Sequence, residues 1–285
     1  MKKCYFICAL AAIAATAPSC SKDTVNTPEM KTISVELGAP CEPVDTKTVL
    51  VNGSEVQWTK DDKNIVCITT DGSRYLLTSS EDKQADTKTF SGEIPSDKEP
   101  LFYYYDMNKT GNFGVSLKTG NILREQLPNS IDCWSPNSFP TALNFAIAKP
   151  GESSFRNIHG YFKWTNNGNA IKAVKFENLS PDEYFTGFFD VQYDGADPEV
   201  SLYNIGVTNT PYVLSRIGNK AIPSDQSYYA VVIPGTYHGV KISIYLAEGY
   251  DKNNPIPSVV IKSDATFTVE RGKYIDFGVL PVAAL

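Results

Sequence analysis

The feature that most narrows the fold of this chain is the return of apolar residues at every second position in short stretches. That spacing puts alternate side chains on one face of a strand. In KTISVELG, Ile33, Val35 and Leu37 alternate with Thr32, Ser34 and Glu36, and in EVQWT, Val56 and Trp58 alternate with Glu55, Gln57 and Thr59. GVKISIYLA places Val240, Ile242, Ile244 and Leu246 on one face, and KYIDFGVL does so with Ile275, Phe277 and Val279. Further strands are expected in NIVCIT, RYLLTS, LFYYYD, LNFAIAK, YFKWT, AIKAVKFEN, FTGFFDVQ, YYAVVI and ATFTVE. Between them Asn52-Gly53, Asp71-Gly72, Thr110-Gly111, Asn167-Gly168 and Asp194-Gly195 supply residues that tolerate the positive φ of tight turns. Helical spacing is nearly absent. Short strands separated by turns imply an all-β chain of antiparallel β-sandwiches rather than a parallel sheet with crossover helices. A polar break at Lys149-Pro150-Gly151-Glu152-Ser153-Ser154 sets the expected boundary, with one β-sandwich over 31–149 and another over 150–285.

The first residues differ in kind. Lys2 and Lys3 precede an apolar segment from Cys4 to Ala17, which is too short for a membrane-spanning helix and of the length found in secretion signals. Small residues before Cys20, in TAPSCSKD, resemble the lipobox of bacterial lipoproteins. The expectation is a signal peptide over 1–19, lipid attachment at Cys20 and a polar tether over 20–30. One acyl chain holds a protein to a bilayer only marginally, whereas the multiply acylated cysteine of a lipoprotein anchors it stably. Asp23, just after the anchor, is similar to surface-export signals, so the expected location is the outer face of the cell outer membrane. Losing Lys2 and Lys3 with the leader leaves 24 basic against 32 acidic residues, a net charge of −8. With no run of five basic residues, nucleic acid is not an expected partner.

Chemistry is hard to assemble from what remains. Two histidines, His159 and His238, each beside a glycine, offer no catalytic spacing, and neither G-x-S-x-G nor H-E-x-x-H occurs. The expectation is a non-enzyme with no catalytic residues, no metal and no cofactor. Asp61-Asp62 and Asp194-Gly195-Ala196-Asp197 read as turns rather than calcium loops. Beyond the leader and anchor, Cys41, Cys67 and Cys133 make an odd set that matches no metal pattern, and Cys67 reads as a buried core residue. The run Phe102-Tyr103-Tyr104-Tyr105 and the rings of Trp58, Trp134 and Trp164 read first as core, with Trp134 the best candidate for an exposed, sugar-stacking ring.

The order of fragments along the mature chain resembles the fimbrillin family, surface lipoproteins of Gram-negative anaerobes that build or decorate adhesive pili. The matching residues are Thr46-Lys47-Thr48, Val56 to Asp62 (VQWTKDD), Phe90-Ser91-Gly92, the aromatic strand through Tyr105, Thr186-Gly187, Tyr228 to Gly235 (YYAVVIPG) and Gly272 to Val279. The resemblance implies two transthyretin-like sandwiches. It also implies polymerisation by strand exchange, in which a protease removes an N-terminal strand and the groove accepts a strand of the next subunit. KTISVELG, with Ile33, Val35 and Leu37, is the candidate exchanged strand. Other fimbrial subunits and the outer membrane are then the expected partners, with host or bacterial surface ligands beyond them. Polymerising members are cut after arginine, yet the first arginine here is Arg74. Either a lysine-tolerant protease acts, with Lys47 the processing site, or the chain is an uncut anchor or accessory subunit. The rival reading is a surface glycan-binding lipoprotein that uses Trp134 or the tyrosine run.

Overall fold

The computed structural model describes residues 28–39, 49–51, 55–105, 115–132, 136–137, 145–168, 170–203, 210, 212–216, 225–251, 253 and 255–281. Cys20, Cys41, Lys47, Cys133, Trp134 and the pairs Asn52-Gly53 and Thr110-Gly111 lie outside the described residues. Within them there is no helix and the chain is all-β.

The strands of the first part are β1 (Met30–Gly38), β2 (Val49–Val51), β3 (Glu55–Gln57), β4 (Asn64–Thr69), β5 (Arg74–Thr78), β6 (Thr87–Pro95), β7 (Pro100–Tyr105), β8 (Ser116–Lys118), β9 (Ile122–Leu127) and β10 (Ser130–Asp132). Then come β11 (Ala146–Ala148), β12 (Arg156–Asn157), β13 (Gly160–Asn166), β14 (Ile171–Asn178), β15 (Gly187–Gln192), β16 (Glu199–Leu202) and β17 (Tyr212–Arg216). The last four are β18 (Gln226–Val232), β19 (Gly235–Leu246), β20 (Val259–Val269) and β21 (Tyr274–Val279).

These form a seven-stranded sheet in the order β1-β6-β5-β4-β7-β11-β12, a five-stranded sheet β10-β17-β14-β19-β20, a three-stranded sheet β18-β13-β21, a four-stranded sheet β16-β15-β9-β8 and the pair β2-β3. Pairing is antiparallel except where β10 meets β17 and β13 meets β21. β9 pairs with β15, and β10 with β17, so residues 123–127 and 130–132 pair with strands that follow position 150.

Among the described residues two apolar clusters fill the interior, and the seven-stranded sheet lies between them. Val66, Ile68, Phe102, Tyr104 and Ile147 face the larger cluster, whereas Cys67, Tyr103, Tyr105, Ala146 and Ala148 face the smaller one. Central strands covered on both sides need apolar residues at successive positions. This is why NIVCIT and the aromatic run are continuous rather than alternating. Outer strands keep the alternation, as β1 does with its exposed Thr32, Ser34 and Glu36.

Turn chemistry follows the sequence closely at Asp71-Gly72. Gly72 adopts φ +82°, its amide donates to Thr69 O at 2.8 Å, and the Asp71 carboxylate accepts from Thr69 Oγ1 and Ser73. That arrangement closes the β4–β5 hairpin.

Candidate functional site

β1 is the outermost strand of its sheet and pairs antiparallel with β6 over nine residues, from Met30 opposite Pro95 to Gly38 opposite Thr87. Its inward row is Ile33, Val35 and Leu37, as the alternation requires. The row is unevenly buried: Leu37 is fully covered, whereas Ile33 and Val35 are half-buried against the smaller cluster.

Attachments follow the same gradient. At the Met30 end, Lys31 pairs with the exposed Glu99 at 2.7 Å, and Ser34 and Ser91 share a hydroxyl hydrogen bond of 2.9 Å. Such exposed contacts hold little, since solvent competes for both partners. At the other end the ties are buried or made by backbone. Trp58 Nε1 donates to Leu37 O at 2.8 Å, Gly38 N to Ser153 O at 2.7 Å and Ala39 N to Asp86 O at 2.9 Å. β1 thus has its buried side-chain anchor at Leu37, whereas toward Met30, where Ser96 N donates to Glu29 O at 2.7 Å, its side chains are exposed or half-buried.

The pin is built by the VQWTKDD segment. Trp58 is fully buried and packs edge-on against Phe90, Tyr105 and Phe155, with ring centroids 5.2–5.8 Å apart. The chain then turns sharply, because Asp62 Oδ2 accepts from Thr59 N at 2.7 Å and Thr59 Oγ1 at 2.9 Å, while Tyr105 Oη donates to Asp62 Oδ1. Lys88, on β6, buries its ammonium against three backbone carbonyls: Thr59 O at 2.6 Å, and Asp62 O and Glu81 O at 3.2 Å each. Burial holds the Lys88 ammonium below its ordinary pKa, against the pull of Asp62. Asp62 is therefore a turn carboxylate with its acceptors in use. In the second acidic turn, Asp197 pairs with Arg271 at 3.0 Å and Asp194 accepts from Gln192.

The histidines lie in unlike surroundings. His159 is buried between the rings of Phe145 and Phe189, at 5.1 and 4.9 Å, whereas His238 is exposed and pairs with Glu183. Cys67 sits in the smaller cluster, and burial pushes its thiol up to about 11, only partly offset by Lys31. Of the aromatic residues singled out from the sequence, Trp58, Trp164 and the whole run Phe102–Tyr105 are buried. The tyrosine run therefore presents no ring to a glycan.

The sequence marked β1 and its apolar row. It did not mark the Trp58–Leu37 hydrogen bond or the backbone ties to Ser153 and Asp86, which join residues up to 115 positions apart and leave no periodic trace.

The class these observations define is an all-β chain of mostly antiparallel sheets with β1 as an edge strand. No family model matches the chain, and no curated protein matches it. Among solved structures it is similar to a proposed cell adhesion protein from Bacteroides fragilis, at 8% identity and a TM-score of 0.36, covering 88% of this chain and 94% of that one. It is also similar to a leucine-rich repeat protein from Bacteroides thetaiotaomicron, at 10% identity and a TM-score of 0.22, covering 88% of this chain and 26% of the other.

Proposed function

We propose that this chain is a non-enzymatic adhesion protein of the cell surface, of the fimbrial type, anchored to the outer membrane through Cys20 and joined to other subunits by strand exchange at the place of β1. The observation that carries the reading is the position of β1. It is an edge strand whose inward row, Ile33, Val35 and Leu37, covers one side of the smaller cluster. Its loss would bare the β6 backbone edge and the apolar floor around Phe90, and both favour an incoming strand with the same alternation. A cut after Lys47 would release β1 together with the tether.

The test treats the purified full chain with a trypsin-like protease and looks for heat-resistant oligomer ladders on denaturing gels. The expected result is a cut at Lys47 followed by a ladder, with both lost in Lys47→Ala. Trimming at Lys47 without oligomers would refute strand exchange. An unmodified Cys20 in the mass spectrum of the mature N-terminus would refute the anchor.

A further inference from the structure

The five-stranded and three-stranded sheets pack face to face, with Phe162 of β13 against Phe176 of β14 at 5.2 Å and against Phe267 of β20 at 6.0 Å. The smaller sheet ends at β21, and its cover does not reach the far side of β20. Ser263 and Ala265, on the inward row of β20, are exposed, and beneath them lies a half-open cavity of about 360 Å³. Its walls are almost wholly apolar, among them Ile242, Ile261, Phe267, Ile275 and Phe277.

β20 is also the edge of its sheet, with only β19 bonded to it, and at 11 residues it is the longest edge strand among the described residues. It contains no proline. The register shift sets Asp264 and Ala265 of β20 against the single Gly239 of β19, at φ +86°, while Ile261, Ser263, Ala265 and Phe267 of β20 all line the cavity. A long edge above an uncovered apolar slot invites another strand.

Its charges decide which strand. On the outward row, Lys262 and Asp264 lie two positions apart, and neither makes an ion pair among the described residues. Lys262 stands opposite Lys241 of β19, which is itself paired with Glu177, so Lys262 lies in a basic setting open to an outside carboxylate. We propose that β20 is a self-association edge: a second copy adds its own β20 antiparallel across a two-fold axis through Ser263. In that register Lys262 faces Asp264 of the second copy and Asp264 faces Lys262 of the second copy. Moving the axis to 262 or 264 places like charges opposite each other, which disfavours both neighbouring registers. Inside, Ile261 meets Ala265 of the second copy and Val259 meets Phe267 of the second copy, which closes the slot. The contact is isologous, so it yields a closed pair rather than a growing fibre. It is independent of β1.

Sedimentation equilibrium of the full chain tests this. The wild type is expected to form dimers at about 10–100 μM, and Lys262→Asp or Asp264→Lys alone should each weaken the dimer by about tenfold or more. The double exchange Lys262→Asp/Asp264→Lys restores both opposite-charge pairs and should return affinity to within about threefold of wild type. Circular dichroism confirms that each variant is folded, and Ser263→Cys should give a disulfide-linked dimer on mild oxidation. A wild type that stays monomeric to about 200 μM, or a double exchange that binds no better than either single reversal, overturns the proposal.

Discussion

Replacing Leu37 by alanine should loosen β1 while leaving the sheet behind it closed. Leu37 is the one fully buried apolar side chain in the inward row, packed in the cluster that holds Trp58, Phe90 and Phe155. Truncating such a leucine costs about 2–5 kcal/mol, from lost transfer free energy and the cavity left behind. Each 1.4 kcal/mol is a factor of ten, so opening of β1 should rise by about 30-fold to a few thousandfold. Ile33→Ala, at a half-buried position, should cost about 1–2 kcal/mol by the same reasoning. Native-state hydrogen exchange read by mass spectrometry separates the outcomes. Amides of residues 31–38 should lose protection strongly in Leu37→Ala and mildly in Ile33→Ala, while those of β4 keep theirs in both. If the two variants lose equal protection, the pinning is not at Leu37. If β4 exchanges in step with β1, the strand is no separable unit and the strand-exchange reading loses its basis.

Two further outcomes follow from the packing. The Cys67 thiol is raised from 9.0 to about 11 by burial, so the folded chain holds that proton over a range where the unfolded chain releases it; the stability it contributes is complete below about pH 9 and is lost as pH rises to about 11. Urea melts across that range should show a shallower alkaline decline for Cys67→Ala than for wild type. At Gly92 of β6 an added Cβ would come within 2.6 Å of Leu76 O and 2.8 Å of Leu77 Cδ2, so Gly92→Ala should lower stability by about 1–3 kcal/mol in the same assay, with the β5–β6 contact the first to weaken.

Where a strand is regular and its buried face apolar, the sequence located it well. NIVCIT is β4 residue for residue, and KTISVELG falls one residue short of β1. In two of the strands that escaped, β6 and β9, a buried polar residue interrupts the apolar row. In β6 the inward positions include Lys88, whose charge is met by backbone carbonyls that no pattern reveals. In β9 the row Leu123, Glu125, Leu127 carries a buried carboxylate at its centre. Both strands are also bonded to distant partners, β6 to β1 and β9 to β15. Of the candidate site, Ile33, Val35 and Leu37 were legible as a row because alternation is local. Their unequal hold was not, since it depends on Trp58, Asp86 and Ser153, brought alongside only by the fold.

The placement of the seven-stranded sheet between two clusters bears on how its aromatic run can change. Phe102-Tyr103-Tyr104-Tyr105 reads as repetition, yet it is an inventory dealt out to two recipients in turn, Phe102 and Tyr104 to one side, Tyr103 and Tyr105 to the other. Exchanging Phe102 with Tyr103 would keep composition, hydropathy and strand propensity intact and still hand each recipient the wrong ring. Neighbours in the chain are thus strangers in space, and each answers to a different set of surroundings.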